Sequence, residues 1–408
     1  MRVLHLNFSP KGGAGVGVER LNKALLIKNI HSQIFNYDEY LDKNNFFQRY
    51  IRKTKWNLKI FLKKLFIKLF VNFPHKETIS LNLFNNLDIQ KIINQKKIDL
   101  IHLHWIGNEM ISLKEINKIN IPIVWTMHDM WAFCGGEHFA IDKRFQNKYS
   151  TTSRSNKESG VDLNRIVWKK KEKYLEKKKI QLISPSNWMN KQVKNSSLFK
   201  NKKSIVLPYI INTKDWSLNS KKNKKIFKNK NKTTILFSAT SSVNYRKGFN
   251  YLVSAINNYL DPKNYCLIVA GDKPKQFDQV KIEKKFVGIL NSKRIIQNTY
   301  YSSDIFVMPS LYESFGQVFI EAGCYGLPSV AFKKTAVEDI LNHKKNGYLA
   351  NYKSSKDLAK GIDWARSKIN RDKNFKYYNR KFIIDNFSYE TRTIDYINLY
   401  KQIIKYNK

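Results

Sequence analysis

The sequence predicts an α/β protein made of two doubly wound domains, each a mostly parallel sheet covered by helices. Its 408 residues exceed what one hydrophobic core usually serves, so two domains are the default expectation. Short apolar runs with strand character alternate with segments of helical spacing, which favours parallel sheets. A Lys/Asn-rich stretch with almost no apolar residues, Asn219–Lys232, indicates an exposed connector between the halves. We therefore expect a ligand at the carboxyl ends of the strands.

The first half, residues 1–215, opens directly on a strand. It has neither a charged leader with a long apolar run nor about 18 consecutive apolar residues, so we expect no signal peptide, no transmembrane helix and a cytoplasmic location. Four apolar runs predict strands and three segments predict helices. The strands are Arg2–Phe8, Leu100–Leu103, Ile121–Thr126 and Gln181–Ser184, and the helices are Val18–Asn29, Ile89–Gln95 and Trp168–Lys178.

The second half, residues 216–386, repeats this alternation after the connector. A further helical pattern, Phe387–Tyr406, closes the chain as a separate segment, residues 387–408. The predicted strands of the second half are Thr234–Ser238, Tyr265–Ala270, Lys285–Val287, Ile305–Met308 and Ser329–Phe332. Its predicted helices are Phe249–Tyr259, Ile295–Tyr301, Val318–Tyr325 and Leu358–Ile369.

The formal net charge is +42, which makes nucleic acid or an anionic membrane a conceivable partner. The lysines, however, are spread over nearly every segment, and no zinc finger, basic zipper or RNA-recognition pattern is present. We therefore expect no nucleic-acid partner. The three cysteines, Cys134, Cys266 and Cys324, show no metal-ligand spacing, and buried free thiols are the expectation.

Residues 46–70 contain eight basic side chains and no acidic one, interleaved with apolar residues at helical spacing. A basic amphipathic helix of this kind binds anionic membrane surfaces. A helix packed on its own domain, with its lysines in water, explains the pattern equally well. Both interpretations stay open at this point.

Two glutamates, Glu313 and Glu321, lie eight positions apart between two predicted strands. Glu313 follows a strand end and is expected in a loop. The next residues, Ser314, Phe315 and Gly316, are expected to direct backbone N–H groups outward from the start of a helix, where a phosphate binds favourably. Glu321 lies about two turns along this helix and can accept hydrogen bonds from hydroxyls. Backbone N–H groups that bind phosphate, placed between two carboxylates that bind hydroxyls, are suited to a nucleotide-sugar ligand.

This run, with its flanking strands and the segment Glu321-Ala-Gly-Cys-Tyr-Gly-Leu-Pro328, resembles the donor-site motif of glycosyltransferase family 4. The resemblance implies the GT-B fold, two Rossmann-like domains facing across a cleft, with the last helix crossing back to the first domain. It also implies that Glu313 contacts the transferred sugar, Glu321 the ribose, and the amides of residues 314–317, Gln317 included, the donor phosphate.

Two first-domain segments extend the resemblance. From the residues alone, Pro10-Lys-Gly-Gly-Ala-Gly-Val-Gly17 is explained by a tight turn as well as by a phosphate contact. The resemblance implies that Gly12 and Gly13 face the donor diphosphate. The stretch His128-Asp-Met-Trp131 is similar to that of a subgroup that builds surface polysaccharides, in which the histidine lies beside the donor sugar. That subgroup often has a cysteine cluster next, which Glu137 interrupts here, so we expect no zinc.

In the second domain, Arg246 and Lys247 follow a predicted strand end, where they would stabilise a leaving nucleoside diphosphate. Many family members have an arginine where this chain has Ser242, so Arg246 either replaces it or lies only at the rim. By resemblance, the loop of Val287 and Gly288 borders the nucleotide base, and Gly271 also belongs to the donor site. Family members usually have a pair of glycines after the strand that follows the two glutamates. In this chain that strand is Ser329–Phe332, and the segment Thr335-Ala-Val-Glu-Asp339 stands in place of the glycine pair.

The sequence is thus identified as a member of the retaining GT-B glycosyltransferases that move a sugar from a nucleotide donor to a hydroxyl of a glycan or lipid-linked acceptor. No Asp-x-Asp pair occurs, so we expect neither a metal nor another cofactor, with cations and amides neutralising the leaving group. The alternative from another class is a catalytically inactive protein on this fold that binds membrane or nucleic acid. An epimerase or a phosphorylase of the same fold is the other enzymatic alternative.

Overall fold

The computed structural model describes residues 1–42, 46–72, 79–84, 87–140, 142–216, 224–226, 231–239 and 244–406. Contacts divide the chain into Met1–Pro208 with Thr393–Lys408 (unit 1) and Tyr209–Arg392 (unit 2). These divisions fall a few residues from the predicted bounds at 215 and 386. Within the described residues, no helix combines the length and apolar composition that crossing a bilayer requires.

Unit 1 contains a parallel sheet of six described strands in the order β2-β1-β4-β5-β7-β8, and a short antiparallel pair, β3 with β6. In chain order its elements are β1 (Arg2–Asn7), α1 (Gly12–Ile27), β2 (His31–Asn36), α2 (Tyr37–Asp42), α3 (Phe46–Phe70), β3 (Val71–Asn72), α4 (Ile89–Lys96), β4 (Leu100–Leu103), α5 (Leu113–Lys118), β5 (Ile123–Thr126), β6 (Ser159–Gly160), α6 (Leu163–Leu175), β7 (Gln181–Ser184), α7 (Asn187–Asn195) and β8 (Ser204–Val206).

Unit 2 contains a second parallel sheet of six described strands, in the order β11-β10-β9-β12-β13-β14. Its elements are β9 (Thr233–Ala239), α8 (Phe249–Tyr259), β10 (Tyr265–Gly271), β11 (Glu283–Gly288), α9 (Lys293–Tyr301), β12 (Ile305–Val307), α10 (Gln317–Cys324), β13 (Ser329–Phe332), β14 (Gly347–Ala350), α11 (Ser355–Arg371) and α12 (Phe375–Phe387). The final helix, α13 (Tyr389–Tyr406), belongs to unit 1 from Thr393 onward.

The central strands form because their apolar residues can be buried on both faces of a parallel sheet. All four residues of β4 and β5 are buried, and so are all seven of β10. Several helices begin at a side chain that caps the first turn: Asp162 accepts from the backbone N–H of Arg165, and Ser186 from that of Met189. Such a cap contributes about 1 kcal/mol. The two parallel sheets confirm the predicted fold class.

Candidate functional site

In unit 2, the loops after β9 and β12 pack directly against each other. Residues 240–243, including Ser242, lie outside the described part; the chain then forms a 3₁₀ turn, Tyr245–Lys247. Gly248 follows with φ +71°, and a Cβ at this position would overlap the carbonyl of Pro309. The backbone N–H of Leu311 donates to the Arg246 carbonyl at 2.7 Å. The cations of the first loop are therefore held beside the second loop.

This packing brings Lys247 and Glu313 together. The Lys247 ammonium donates to Oε2 of Glu313 at 2.7 Å, and both side chains are mostly buried, with exposed fractions of 24% and 13%. A partly desolvated pair of this kind is stronger than a surface ion pair, because water screens it less. The structure thus places two of the predicted catalytic residues in one contact at the carboxyl end of the sheet.

The start of α10 lies next to this pair. Gly316 has φ +98° and stands at the N-terminus of the helix, and an added Cβ would lie 3.5 Å from Cγ of Glu313. Ser314 is largely buried and Phe315 fully so; the Phe315 ring packs edge-on against Tyr209. This burial fixes the backbone of the turn. The N–H groups of an eight-residue helix therefore begin beside one carboxylate and one ammonium, which suits a phosphorylated ligand.

Glu321 lies on the half-buried side of α10 and accepts a hydrogen bond from the hydroxyl of Tyr300 at 2.9 Å. The Tyr300 ring is itself buried and stacks parallel to Tyr325 at 6.1 Å between ring centroids. The orientation of Glu321 is thus set by an aromatic layer under the helix. The sequence analysis did not identify Tyr300. The available signal was a tyrosine near the end of each of two consecutive predicted helices, Tyr300 in the first and Tyr325 in the second.

The remaining predicted donor residues of unit 2 lie at the ends of β10 and β11. Gly271 ends β10 with φ +115°, and Gly288 ends β11 with φ +72° and open space where a Cβ would stand. Val287 is half-buried. In place of the family's glycine pair, Thr335 is buried and its hydroxyl donates to the Phe332 carbonyl at 3.2 Å.

In unit 1, Gly12 and Gly13 are exposed in the first turn of α1, which is sixteen residues long. Gly12 has φ +75°. The segment therefore forms a helix start with accessible backbone, which is the geometry that an anion requires.

His128 follows β5 and is 9% exposed. Its Nε2 lies 2.9 Å from Nδ1 of His104, and Nε2 of His104 lies 2.9 Å from Nδ1 of His5. Burial lowers the pKa of His128 to about 4 and that of His5 to about 3, and it holds the pKa of His104 well below its usual value. All three rings are consequently neutral at physiological pH.

The residue after His128 belongs to a second polar group. Oδ2 of Asp129 lies 2.6 Å from Nδ1 of His138, whose Nε2 lies 2.9 Å from the Ser80 hydroxyl. Burial opposes ionisation of Asp129, yet bonds from His138, the Trp131 amide and the Trp105 indole hold its pKa below the usual value. Ser80 is fully buried, so this Ser–His–Asp arrangement braces the loop rather than presenting a nucleophile.

Lys171 on α6 contributes a buried side-chain amine to the same loop. Its ammonium donates to the carbonyls of Trp131, Cys134 and Gly135, and lies 3.9 Å from the centroid of the Trp131 ring. Burial lowers the pKa of Lys171 to about 7, against the opposing effect of its acidic neighbours. Glu137, expected to interrupt a cysteine cluster, accepts a hydrogen bond from the Tyr149 hydroxyl.

Among the described residues, one group of three side chains has metal-ligand spacing: His5, His102 and His104, each with a ring nitrogen within 4.8 Å of the others. Every one of their six ring nitrogens already has a hydrogen-bond partner. His102 lies 2.7 Å from both the Tyr400 hydroxyl and the Thr126 hydroxyl. A bound ion would have to break several of these bonds, so the hydrogen-bonded arrangement is the better account of the cluster.

Two family descriptions match the chain in succession: Glycosyltransferase Family 4 over residues 11–215 and Glycosyl transferases group 1 over residues 219–382. A similar relative is an uncharacterized 41.2 kDa protein in the cps region of Klebsiella pneumoniae. It is 26% identical over 333 residues, which cover 78% of this chain and 82% of the relative.

The amylovoran biosynthesis glycosyltransferase AmsD of Erwinia amylovora is 30% identical over 123 residues, covering 29% of this chain and 34% of that protein. Among solved structures, Anabaena Alr3699/HepE in complex with UDP-glucose aligns with a TM-score of 0.64 at 15% identity. The alignment covers 98% of this chain and 100% of that one. At this identity the likeness concerns the fold.

Proposed function

Because the chain belongs to glycosyltransferase family 4 and has the GT-B fold, we propose that it moves a sugar, with retained anomeric configuration, from a nucleotide donor to a hydroxyl of a glycan or lipid-linked acceptor. The observation that supports this most directly is the contact of Lys247 with Glu313 beside the first turn of α10. The cps-region and amylovoran relatives support a role in surface polysaccharide synthesis.

In the proposed reaction, the bond between the sugar's anomeric carbon and the donor phosphate breaks, and a bond to the acceptor oxygen forms on the same face. The departing phosphate takes the acceptor's proton. Lys247, Arg246 and the amides of residues 314–317 stabilise the negative charge that develops on this phosphate. Glu313 contacts the sugar, and Glu321 accepts from the ribose hydroxyls in the orientation that Tyr300 sets.

Further donor contacts complete the proposal. In unit 2, the ends of β10 and β11 at Gly271, Val287 and Gly288 border the base; the two glycines have no side chain, and the space beside Gly288 is open. In unit 1, Gly12 and Gly13 are amide donors to phosphate. His128, neutral through burial, is a partner of a sugar hydroxyl.

A donor screen tests the function. Thermal unfolding of the full chain would be followed with UDP-glucose, GDP-mannose and ADP-glucose, and donor hydrolysis measured with each. We expect one nucleotide class to raise Tm and to be hydrolysed slowly. A product with inverted configuration would refute retention. No stabilisation and no hydrolysis with any of the three would favour the inactive binding protein instead.

Divalent metal is expected to be dispensable, because the chain offers cations and helix-terminal amides for the leaving group and no Asp-x-Asp pair. Turnover after exhaustive EDTA treatment should equal that of the untreated enzyme. The control is a parallel sample to which Mg²⁺ or Mn²⁺ is returned. Loss of activity on chelation, with recovery on metal addition, would show that the reaction needs an ion.

Helix α3 supports a membrane-facing role for unit 1, because one row of its apolar side chains points away from the unit. Phe61 and Leu69 are 61% and 63% exposed, although a packed helix would bury them. This outward row forms the apolar face of α3, which consists of Leu58, Phe61, Leu62, Leu65, Phe66 and Leu69. A contiguous exposed apolar surface of this kind is characteristic of an interaction site.

The inner side of α3 is fixed to unit 1 by different residues. The indole of Trp56 donates to the Asn108 carbonyl at 3.3 Å. Lys63 points inward, where its ammonium donates to the Ile79 carbonyl at 3.1 Å and lies 3.5 Å from Glu109. Lys63 is therefore unavailable to a membrane, whereas Lys55, Lys64 and Lys68 are exposed.

We infer that this face rests on an anionic phospholipid surface, which places the enzyme at the cytoplasmic side of a membrane beside a lipid-linked acceptor. Exposed cations flank the apolar face and α3 contains no acidic residue, so its charge is complementary to anionic headgroups. Each such cation contributes about 1 kcal/mol near the surface. Buried apolar area adds about 25 cal/mol per Å².

Co-sedimentation with vesicles measures this binding. Wild type should bind phosphatidylserine-containing vesicles at low salt and bind them more weakly as salt rises. The triple variant Lys55→Glu, Lys64→Glu and Lys68→Glu should lose at least about tenfold in affinity. A matched control, Lys356→Glu, Lys360→Glu and Lys373→Glu, makes the same charge change on exposed lysines of unit 2.

The control variant should bind as wild type does. Equal loss in both variants would mean that total charge, not α3, governs binding. Wild type that ignores anionic vesicles at low salt, or that dimerises through this face in sedimentation velocity, would overturn the membrane assignment. Donor hydrolysis should be unchanged in both variants, because neither set of lysines belongs to the donor site.

A further inference from the structure

Three histidine rings of unit 1 form one line of hydrogen bonds that ends at two polar side chains. Its links run from His128 Nε2 to His104 Nδ1 at 2.9 Å, and from His104 Nε2 to His5 Nδ1 at 2.9 Å. The His5 Nε2 atom then lies 3.0 Å from the Ser32 hydroxyl, which donates to Oδ1 of Asn22 at 2.7 Å. In each histidine of the line, Nε2 faces the next group, which is Nδ1 of the following histidine or, at the end, the Ser32 hydroxyl.

The far end of the line determines the direction of every bond in it. Ser32 has a single hydroxyl hydrogen, and that hydrogen is used on the amide oxygen of Asn22. Ser32 must therefore accept from His5, which places the hydrogen of His5 on Nε2. A neutral imidazole has one donor and one acceptor nitrogen. His5 Nδ1 thus accepts from His104 Nε2–H, and His104 Nδ1 accepts from His128 Nε2–H.

We propose that His104 and His5 are positioning residues that fix His128 as its Nε2–H tautomer, with Nδ1 as the acceptor nitrogen. A ligand group that bonds to Nδ1 must then be a donor, as a sugar hydroxyl is. This consequence for substrate binding rests on the proposed function, whereas the tautomer itself does not. Burial of the rings keeps them neutral, so the line persists across physiological pH.

His102 provides a matched comparison within the same cluster. Its ring centroid lies 4.0 Å from that of His104, and both rings are fully buried. Its two nitrogens, however, bond to Tyr400 and Thr126 and not to the other histidines. A change at His102 therefore disturbs packing beside the line without breaking it.

The test is nitrogen-15 NMR of the full-length chain labelled at histidine, without any ligand, at about pH 7.5, above the ordinary pKa of the side chain. Long-range proton–nitrogen correlations distinguish Nε2–H from Nδ1–H rings. Single substitutions assign the signals. We expect Nε2–H rings for His5, His104 and His128.

Three substitutions and one control probe the direction of the line. Ser32→Ala removes the terminal acceptor at a half-buried position that tolerates the smaller side chain, and it should convert His128 to a mixture of tautomers two rings away. His104→Phe should do the same, while His104→Gln, which has both a donor and an acceptor, should restore the Nε2–H form. The control Thr126→Val alters only the partner of His102 and should leave His128 unchanged.

Nδ1–H rings throughout wild type would show that the line runs in the opposite direction and would overturn the proposal. An unchanged His128 tautomer in Ser32→Ala would equally refute positioning through the line. Because these measurements need no turnover, they stand even if the donor screen finds no enzyme activity. Conversely, an active glycosyltransferase with Nδ1–H rings would refute this inference alone.

Discussion

Replacing Lys247 with alanine is expected to lower kcat by about 10²–10³-fold or more while leaving the fold intact, as the loss of a donor that stabilises transition-state charge does elsewhere. The ammonium lies at the carboxyl end of the unit 2 sheet, paired with Glu313 at 2.7 Å beside the start of α10. Removing it takes away a cation held beside that helix terminus and leaves the mostly buried Glu313 carboxylate without this ammonium. Both changes destabilise the negative charge that develops on the departing phosphate in the transition state.

Steady-state turnover with the donor identified in the screen measures this effect. Lys247→Arg should recover part of the lost kcat, since it retains the charge but not the geometry. The matched control is Lys368→Ala, which removes the partner of Asp372 in an ion pair on α11 of the same unit. Turnover of Lys247→Ala within a factor of about three of wild type would refute the role.

Acidification from about pH 7 to pH 5 is expected to unfold unit 1, because four buried histidines are held neutral there. Burial lowers the pKa of His5 to about 3 and that of His128 to about 4, and it keeps His102 and His104 well below their usual value. The unfolded chain takes up these protons below pH 6.5 and the folded one does not. The contribution of these neutral histidines to the free energy of unfolding is therefore largely retained above about pH 6.5. It is lost as pH falls towards their pKa values in the folded state.

The size of this effect follows from the linkage relation. At pH 5, each histidine that stays neutral in the fold costs about 2 kcal/mol relative to pH 7, so His5 and His128 together cost roughly 4 kcal/mol, and His102 and His104 add to this loss. That is comparable with the whole stability of a typical domain. Hydrogen exchange should show β1, β4 and β5 losing protection in acid before β9 and β10.

Variants of the cluster check the cause. His102→Gln should reduce the number of protons taken up on unfolding by one, and thereby flatten the dependence of Tm on pH. If Tm of wild type stays constant between these two pH values, the histidines are not responsible for acid sensitivity.

The sequence predicted the central strands well because their apolar runs are buried on both faces, as in β4 and β10. It missed β2, since this edge strand, His-Ser-Gln-Ile-Phe-Asn, is half-exposed and has no apolar run. Membership of a sheet is in this case decided by pairing with β1, a contact distant in sequence. Local pattern cannot show such a pairing.

Some residues of the candidate site could be identified from the sequence, and others could not. The sequence analysis placed Lys247 and Glu313 each after a strand end; the structure shows that these strands, β9 and β12, are neighbours and that the two side chains are in contact. His5 and His104 were missed, although a histidine inside an apolar strand was the visible signal. Which face of α3 points outward was also undetermined, because Lys63 and Lys64 are adjacent in sequence and only the tertiary partner Glu109 draws one of them inward.

The side-chain amine of Lys171 has a consequence for how the His128 loop is assembled. This group holds the carbonyls of Trp131, Cys134 and Gly135 from the neighbouring helix α6. It is part of the polypeptide, so it is present in every copy from the moment of synthesis and cannot be lost by dilution or exchange. The three carbonyls of this loop are thus held by a group of the polypeptide itself, and the strength of these bonds changes as Lys171 gains or loses its proton near pH 7.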